Sequence, residues 1–266
     1  MTPAVVHVDD PKYPALLRQL HDPPIRLFVR AGAGADVLSG PSVAVVGARS
    51  CSSYGAQVAR KLGREIAGAG AVVVSGLARG VDSEAHRGAL DVGGCTVAVL
   101  GCGIDRDYPR AHADLARRIE AAGAVVAEYP PGVEPAPWRF PARNRIIAGL
   151  CAATVVVEAR ERSGALITAD FALELGRDVY AVPGEITSRL SAGTNELIRQ
   201  GAVPLVAVDD LLAAVGVVPP PRPGRSVSEL AMVTSVSNPS SSASPSTISS
   251  RARSCSGSPP SVSAIA

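Results

Sequence analysis

Short Val-rich runs, each closed by a glycine-bearing turn and followed by a helical stretch, recur along this chain and leave it few architectures. They occupy residues 43–46, 71–74, 96–100, 124–127, 154–157 and 179–182, with a last one at 203–206. Helical stretches are expected near 55–68, 82–91, 111–122, 142–150, 165–176, 193–200 and 209–215. Continuous apolar runs of this length suit strands buried on both faces. Strand alternating with helix then builds a mostly parallel sheet with helices on both faces, joined by right-handed crossovers. The fold class is α/β. Residues 1–39 read as a turn-rich preface with one strand in the apolar run at 25–29, and residues 40–216 as the sheet domain. Residues 217–266 read as a tail whose composition changes sharply from Pro219, half of it being Ser or Pro. Such a segment buries too little apolar area to offset its ordering entropy, so it is expected to be disordered.

Each apolar run ends in a marked turn. The first is GARSCSSYG at 47–55 and the second SGLARGVD at 75–82. The third is GCGID at 101–105, with Tyr108-Pro109-Arg110 beyond it. EYPPG follows at 128–132, then Glu158 through Ser163-Gly164, then Pro183-Gly184. A parallel sheet gathers these turns along one edge, the carboxyl ends of its strands, where open α/β sheets bind ligands. Glycine lets backbone approach closely, and the following helices offer free N–H groups and partial positive charge. Several such turns in a row, two of them holding an arginine (Arg49 and Arg79), point to a polyanion or a nucleotide with several phosphates.

The usual nucleotide grips are missing. The first turn does not fit GxGxxG, and Ser75 stands where a ribose-binding acid would close the second strand. There is no GxxxxGK[ST] loop, no HExxH and no GxSxG. Asp82 and His86 are spaced to pair or to share a metal, or else Asp82 and Ser83 cap a helix along which His86 packs. Glu128 and Glu158 close two strands and form either a carboxylate couple or ion pairs with arginines. The five cysteines (51, 95, 102, 151 and 255) form no CxxC and read as reduced core or loop thiols. No metal, cofactor or catalytic residue is expected.

The formal net charge is only +2, so any binding of nucleic acid depends on a local patch. The segment Trp138-Arg139-Phe140-Pro141-Ala142-Arg143-Asn144-Arg145 is the richest candidate. Its arginines and amide combine phosphate donors with stacking rings, the mixture that single-stranded nucleic acid requires. The alternative puts Trp138 and Phe140 in the core and pairs the arginines with Glu128, Glu158 or Asp170. At least one of Arg143 and Arg145 is structural, because their side chains diverge on a helix. No apolar run reaches bilayer length, and the amino terminus lacks a basic region followed by an apolar stretch. The expected location is the cytoplasm.

Together these blocks resemble the DprA/Smf family of DNA-processing proteins. The resemblance rests on VAVVGARSCSSYG at 43–55, SGLARGVDSEAH at 75–86, GCGIDRDYP at 101–109 and EYPPG at 128–132. It continues through FPARNRIIAGL at 140–150, VVEARERSGALITADFALELGRDVYAVPG at 156–184 and GTNELIRQGA at 193–202. It implies an extended Rossmann-like fold that binds single-stranded DNA, forms a homodimer and loads a RecA-type recombinase during DNA uptake, natural transformation and recombination, without enzymatic activity. By the family's pattern the DNA-binding residues are Gly47, Arg49, Ser75, Gly76, Arg79, Gly80, Arg110, Phe140, Arg143 and Asn144. Many members end in a small winged-helix domain where this chain has its Ser/Pro-rich tail, so functions of that domain are not expected to transfer. The competing reading is a Rossmann-like nucleotide-processing enzyme of the phosphoribohydrolase kind. Its PGGxGT signature is broken here, because Pro183-Gly184 and Gly193-Thr194 stand apart.

Overall fold

The computed structural model describes residues 3–32 and 34–218. Nine strands form one sheet: β1 (Ala4–His7), β2 (Arg26–Ala31), β3 (Ser42–Val46), β4 (Val72–Ser75), β5 (Thr96–Gly103), β6 (Ala124–Tyr129), β7 (Ala153–Val156), β8 (Asp178–Ala181) and β9 (Val203–Pro204). Between and after them run α1 (Ser53–Gly68), α2 (Val81–Asp91), α3 (Ala113–Ala122), α4 (Arg139–Leu150), α5 (Gly164–Glu174), α6 (Ala192–Arg199) and α7 (Val208–Ala214). The spatial order is β1-β2-β6-β5-β4-β3-β7-β8-β9. Every pair from β6 to β9 is parallel, while β1–β2 and β2–β6 are antiparallel. The chain therefore winds outward from β3 through β4, β5 and β6, then returns to β7 on the other side of β3. That reversal opens a crevice between the carboxyl ends of β3 and β7.

Strand residues alternate between two cores, as the period of two requires. Along β3, Ala44 and Val46 face Ile146 and Ile147 of α4 and Ala169 of α5. Val43 and Val45 face Leu62 and Ile66 of α1, Ala85 of α2 and Leu211 of α7. Helix α3 covers the β5–β6 end through Ile119 and Leu115. Each fully buried Val, Leu or Ile contributes roughly 1.5–3 kcal/mol before entropy. Branched aliphatics on both faces therefore hold this Rossmann-like α/β sheet with few aromatic residues. Helix α1 starts where expected: the Ser52 hydroxyl accepts from Gly55 N–H at 3.0 Å.

Two local expectations need correction, and one contact was not foreseen. The preface contributes two strands, not one. β1 exposes all its residues except Val6, so the apolar run that marks a buried strand is absent there. The last strand is shorter than expected, ending at Pro204, with one further bond to β8 from Leu205 N–H to the Ala181 carbonyl at 2.9 Å. Finally, Arg177 fastens the preface to the sheet domain, which no motif announces. Its guanidinium lies within hydrogen-bond reach of the Ala148, Gly149 and Cys151 carbonyls at the carboxyl end of α4, and of the Leu16 carbonyl at 2.6 Å. The expectation for the Ser/Pro-rich tail falls, beyond residue 218, outside the described residues.

Candidate nucleic-acid interface

The turns at the carboxyl edge are laced to one another. After β3, Ala48 N–H donates to the Glu158 carbonyl of the turn after β7 at 2.7 Å, and the Ala48 carbonyl accepts from Val81 N–H at the start of α2. The turn after β4 is tied in turn to the one after β5, where the His112 ring nitrogen Nδ1 donates to the Leu77 carbonyl at 2.8 Å. Gly80 makes the joint between Ala48 and Val81 possible. Its φ is +78°, and a Cβ there would meet the Ala48 carbonyl oxygen at 2.3 Å. Gly47 also packs closely, a Cβ there meeting the Val81 side chain at 2.7 Å and the Glu158 carbonyl at 3.0 Å.

This lacing carries Arg49, Arg79 and Arg110 onto one rim, all three exposed. The Arg49 guanidinium sits over the Phe140 ring, 5.3 Å from its centroid. Phe140 in turn stacks on Tyr108 with centroids 5.3 Å apart and planes 26° from parallel, and Arg110 follows two residues later. Below lies a cavity of about 320 Å³ in the β3–β7 crevice, lined by Gly47, Arg49, Phe140, Asn144, Arg160 and Ser163 among others. Asn144 Nδ2 donates to the Gly164 carbonyl at 3.0 Å and so joins α4 to the start of α5. Ser163 caps α5, accepting from Ala165 N–H. Among the described residues, Arg49, Arg79, Arg110 and Arg160 have no ion-pair partner. Unpaired guanidinium groups around a crevice make a site for phosphate oxygens.

Three of the expected contact residues lie under this surface. Ser75 is fully buried and its hydroxyl donates to the Val45 carbonyl at 2.7 Å, which binds β4 to β3. Gly76 is a close-packing position, because a Cβ would meet the Arg143 guanidinium and the Asp82 carboxylate, each at 2.7 Å. Arg143 is 4% exposed and donates to the Gly76 carbonyl at 2.9 Å and to the Val99 carbonyl. Ser75 and Arg143, both expected among the DNA-binding residues, thus brace the turn after β4 through backbone carbonyls, and Arg143 also lines the cavity. Burial lowers the Arg143 guanidinium to about 10, against the opposing pull of Asp82. Burial also raises the Asp82 carboxyl, opposed by Arg143 and by the Ala78 and Gly76 N–H groups that it accepts from.

Burial and hydrogen-bond partners also fix the roles of the acidic, histidine and aromatic residues around the edge. Asp82 does not cap α2 from outside; it reaches back to order the turn before it. His86 is buried with Nδ1 on the Thr96 hydroxyl at 2.7 Å, and burial, reinforced by His112, lowers its pKa to about 3. Glu128 and Glu158 form no couple, since β5, β4 and β3 separate their strands. Glu128 pairs with Arg145 at 2.6 Å, whereas Glu158 accepts from the Ser52 N–H and hydroxyl and so braces the first turn. Arg145 is thus structural as well as Arg143. Trp138 is not a core residue but 62% exposed, and Phe140 is half-buried. Arg160 joins the crevice without belonging to any expected site. Its one signal in the sequence is the turn after β7, which only the strand order brings beside Arg49. Among the described residues, no group of three or more His, Cys, Asp or Glu side chains could hold a metal ion, and no helix is long and apolar enough to cross a membrane.

Known proteins share this fold. Residues 4–216 match the profile of a family described as DNA recombination-mediator protein A. The chain is 46% identical over 204 residues to the DNA processing protein DprA of Streptococcus pneumoniae, covering 77% of this chain and 71% of that protein. It is 41% identical over 219 residues to protein Smf of Synechocystis, covering 82% of this chain but only 55% of that longer relative. The crystal structure of the pneumococcal protein superposes with a TM-score of 0.74 at 44% identity, covering 79% of this chain and 74% of that one. A structure of DNA processing protein A from Helicobacter pylori, described for its single-stranded DNA binding mode, superposes with a TM-score of 0.72 at 28% identity. It covers 81% of this chain and 98% of that one. The chain belongs to the DNA recombination-mediator protein A family.

Proposed function

We propose that this protein binds single-stranded DNA along the carboxyl edge of its sheet and passes it, as a homodimer, to a RecA-type recombinase. The setting is cytoplasmic, during DNA uptake, natural transformation and recombination. One observation carries the reading: Arg49, Arg79 and Arg110, unpaired, share a rim with the stacked Phe140 and Tyr108 rings above an open crevice. Guanidinium groups follow a phosphate backbone, and exposed rings accept unpaired bases of any identity. Gly47, Gly76 and Gly80 give the backbone its close approach, Asn144 lines the crevice, and Ser75 and Arg143 hold the turn from beneath. The binding of single-stranded DNA named for the Helicobacter pylori relative supports the same reading.

A non-catalytic role agrees with the acidic residues at the crevice. Asp82 already accepts from two backbone N–H groups and Glu158 from Ser52, so both carboxylates have structural work. Fluorescence anisotropy with labelled oligo-dT at several salt concentrations, beside a double-stranded control, tests the proposal. Affinity should favour the single strand and fall steeply as salt rises. Arg49→Ala should weaken binding by about 1–3 kcal/mol and reduce the salt slope by about one. No binding, or affinity unchanged in both Arg49→Ala and Arg110→Ala, refutes it. Faster RecA filament growth on coated single strands tests the recombinase step.

A further inference from the structure

We infer that Trp138, Arg139 and Tyr129 form a second base-stacking station, beside the Phe140 rim, for the same DNA strand. The inference rests on the DNA-binding reading above and extends it to residues that reading does not use. The Arg139 guanidinium lies over two rings, 4.7 Å from the Trp138 centroid and 5.2 Å from that of Tyr129. Trp138 is 62% exposed, so a large aromatic face stands open for a base to cover.

The platform is held in place before any ligand arrives. Arg139 donates to the Glu134 carbonyl, and the Glu134 carboxylate pairs with Arg106 at 2.8 Å. Gly132 N–H donates to Asp105 Oδ1 at 2.9 Å, so the loop from β6 to α4 is anchored on the turn after β5. A rigid platform binds with less loss of side-chain freedom.

Its position selects the ligand. Trp138 and Phe140 are two residues apart at the start of α4, so they point roughly 200° apart around the axis. Phe140 packs over Gly101, while Tyr129 pairs with Gly103 two residues further along β5. The two stations therefore flank the amino terminus of α4. Its first turn holds no acidic residue, leaving the positive end of the helix dipole uncompensated. A strand with one base on each station carries the intervening phosphates across that terminus. Aromatic, arginine, open dipole and second aromatic in sequence match successive base, phosphate and base.

The chain's one tryptophan is this residue, so its emission reports on the station directly. The full chain is titrated with oligo-dT of increasing length, following tryptophan emission together with anisotropy of labelled DNA. Short oligomers should bind without changing emission, and longer ones should quench it as a base covers the ring. Trp138→Ala should weaken binding of long oligomers by roughly five- to tenfold and leave the short ones unchanged, while Trp138→Phe keeps most of the affinity. Binding at every length without quenching, or equal loss for short and long oligomers, overturns the second station alone. Absence of any DNA binding overturns the function proposed above as well.

Discussion

The two ends of α4 use arginine for opposite purposes. At its amino end, the neighbouring Arg49 meets an aromatic face and solvent, Arg139 meets two rings and the Glu134 carbonyl, and no acidic residue occupies the first turn. At its carboxyl end, Arg177 meets the carbonyls of Ala148, Gly149 and Cys151, and the Ala148 carbonyl also accepts from the Cys151 N–H. A guanidinium is thus left available by Arg49 at one end and consumed by Arg177 at the other. Backbone polarity decides which arginine can meet an anion, more than the count of arginines does.

The contrast can be broken most severely at the carboxyl end. Arg177→Met should destabilise the protein by about 3 kcal/mol, because the Gly149 and Cys151 carbonyls lose the guanidinium that donates to them, with DNA affinity of the folded fraction unchanged. Urea unfolding beside an oligo-dT titration checks both halves; a fall in affinity without a fall in stability would reverse the assignment.

The interior beneath the rim should also show itself as a pH effect. His86 has a folded pKa of about 3 against 6.5 for the free side chain. Between those values the unfolded chain binds a proton that the folded one refuses, so stability is lost as pH falls from 6.5 toward 3. From pH 7 to pH 5 this group alone should remove about 2 kcal/mol. His86→Gln should flatten that part of the profile, and parallel profiles for the two proteins would remove His86 as its source.

The smallest expected effect is at the lip facing Arg49 across the crevice. Arg160→Ala should weaken oligo-dT binding by about 1 kcal/mol without moving the unfolding midpoint. A midpoint shift with unaltered affinity would class Arg160 with Arg177.

Most of the fold was legible because strands buried on both faces must be apolar almost throughout, and β3 to β8 are. β1 was not, since an edge strand with one buried side chain carries no such pattern. At the site, the turns revealed Arg49, Arg79 and Arg110 because glycine and arginine there have few other uses. The depth of Ser75 and Arg143 was hidden: position on a strand or helix gives a direction, and only the packed neighbours tell whether it leads outward. Arg160 was hidden for a third reason. Its closeness to Arg49 comes from β7 lying beside β3, and strand order is not written in any local stretch.

The bonds that lace adjacent turns have a mechanical consequence. Ala48 to Glu158, Val81 to Ala48 and His112 to Leu77 make the edge a stiff rail, unable to mould itself to what it holds. The bending then falls to the ligand. Duplex DNA keeps its direction over roughly 150 base pairs, far beyond the width of one small domain, whereas a lone strand folds at every nucleotide. Rigidity in the protein can thus sort limp polymers from stiff ones with no gate to open or close.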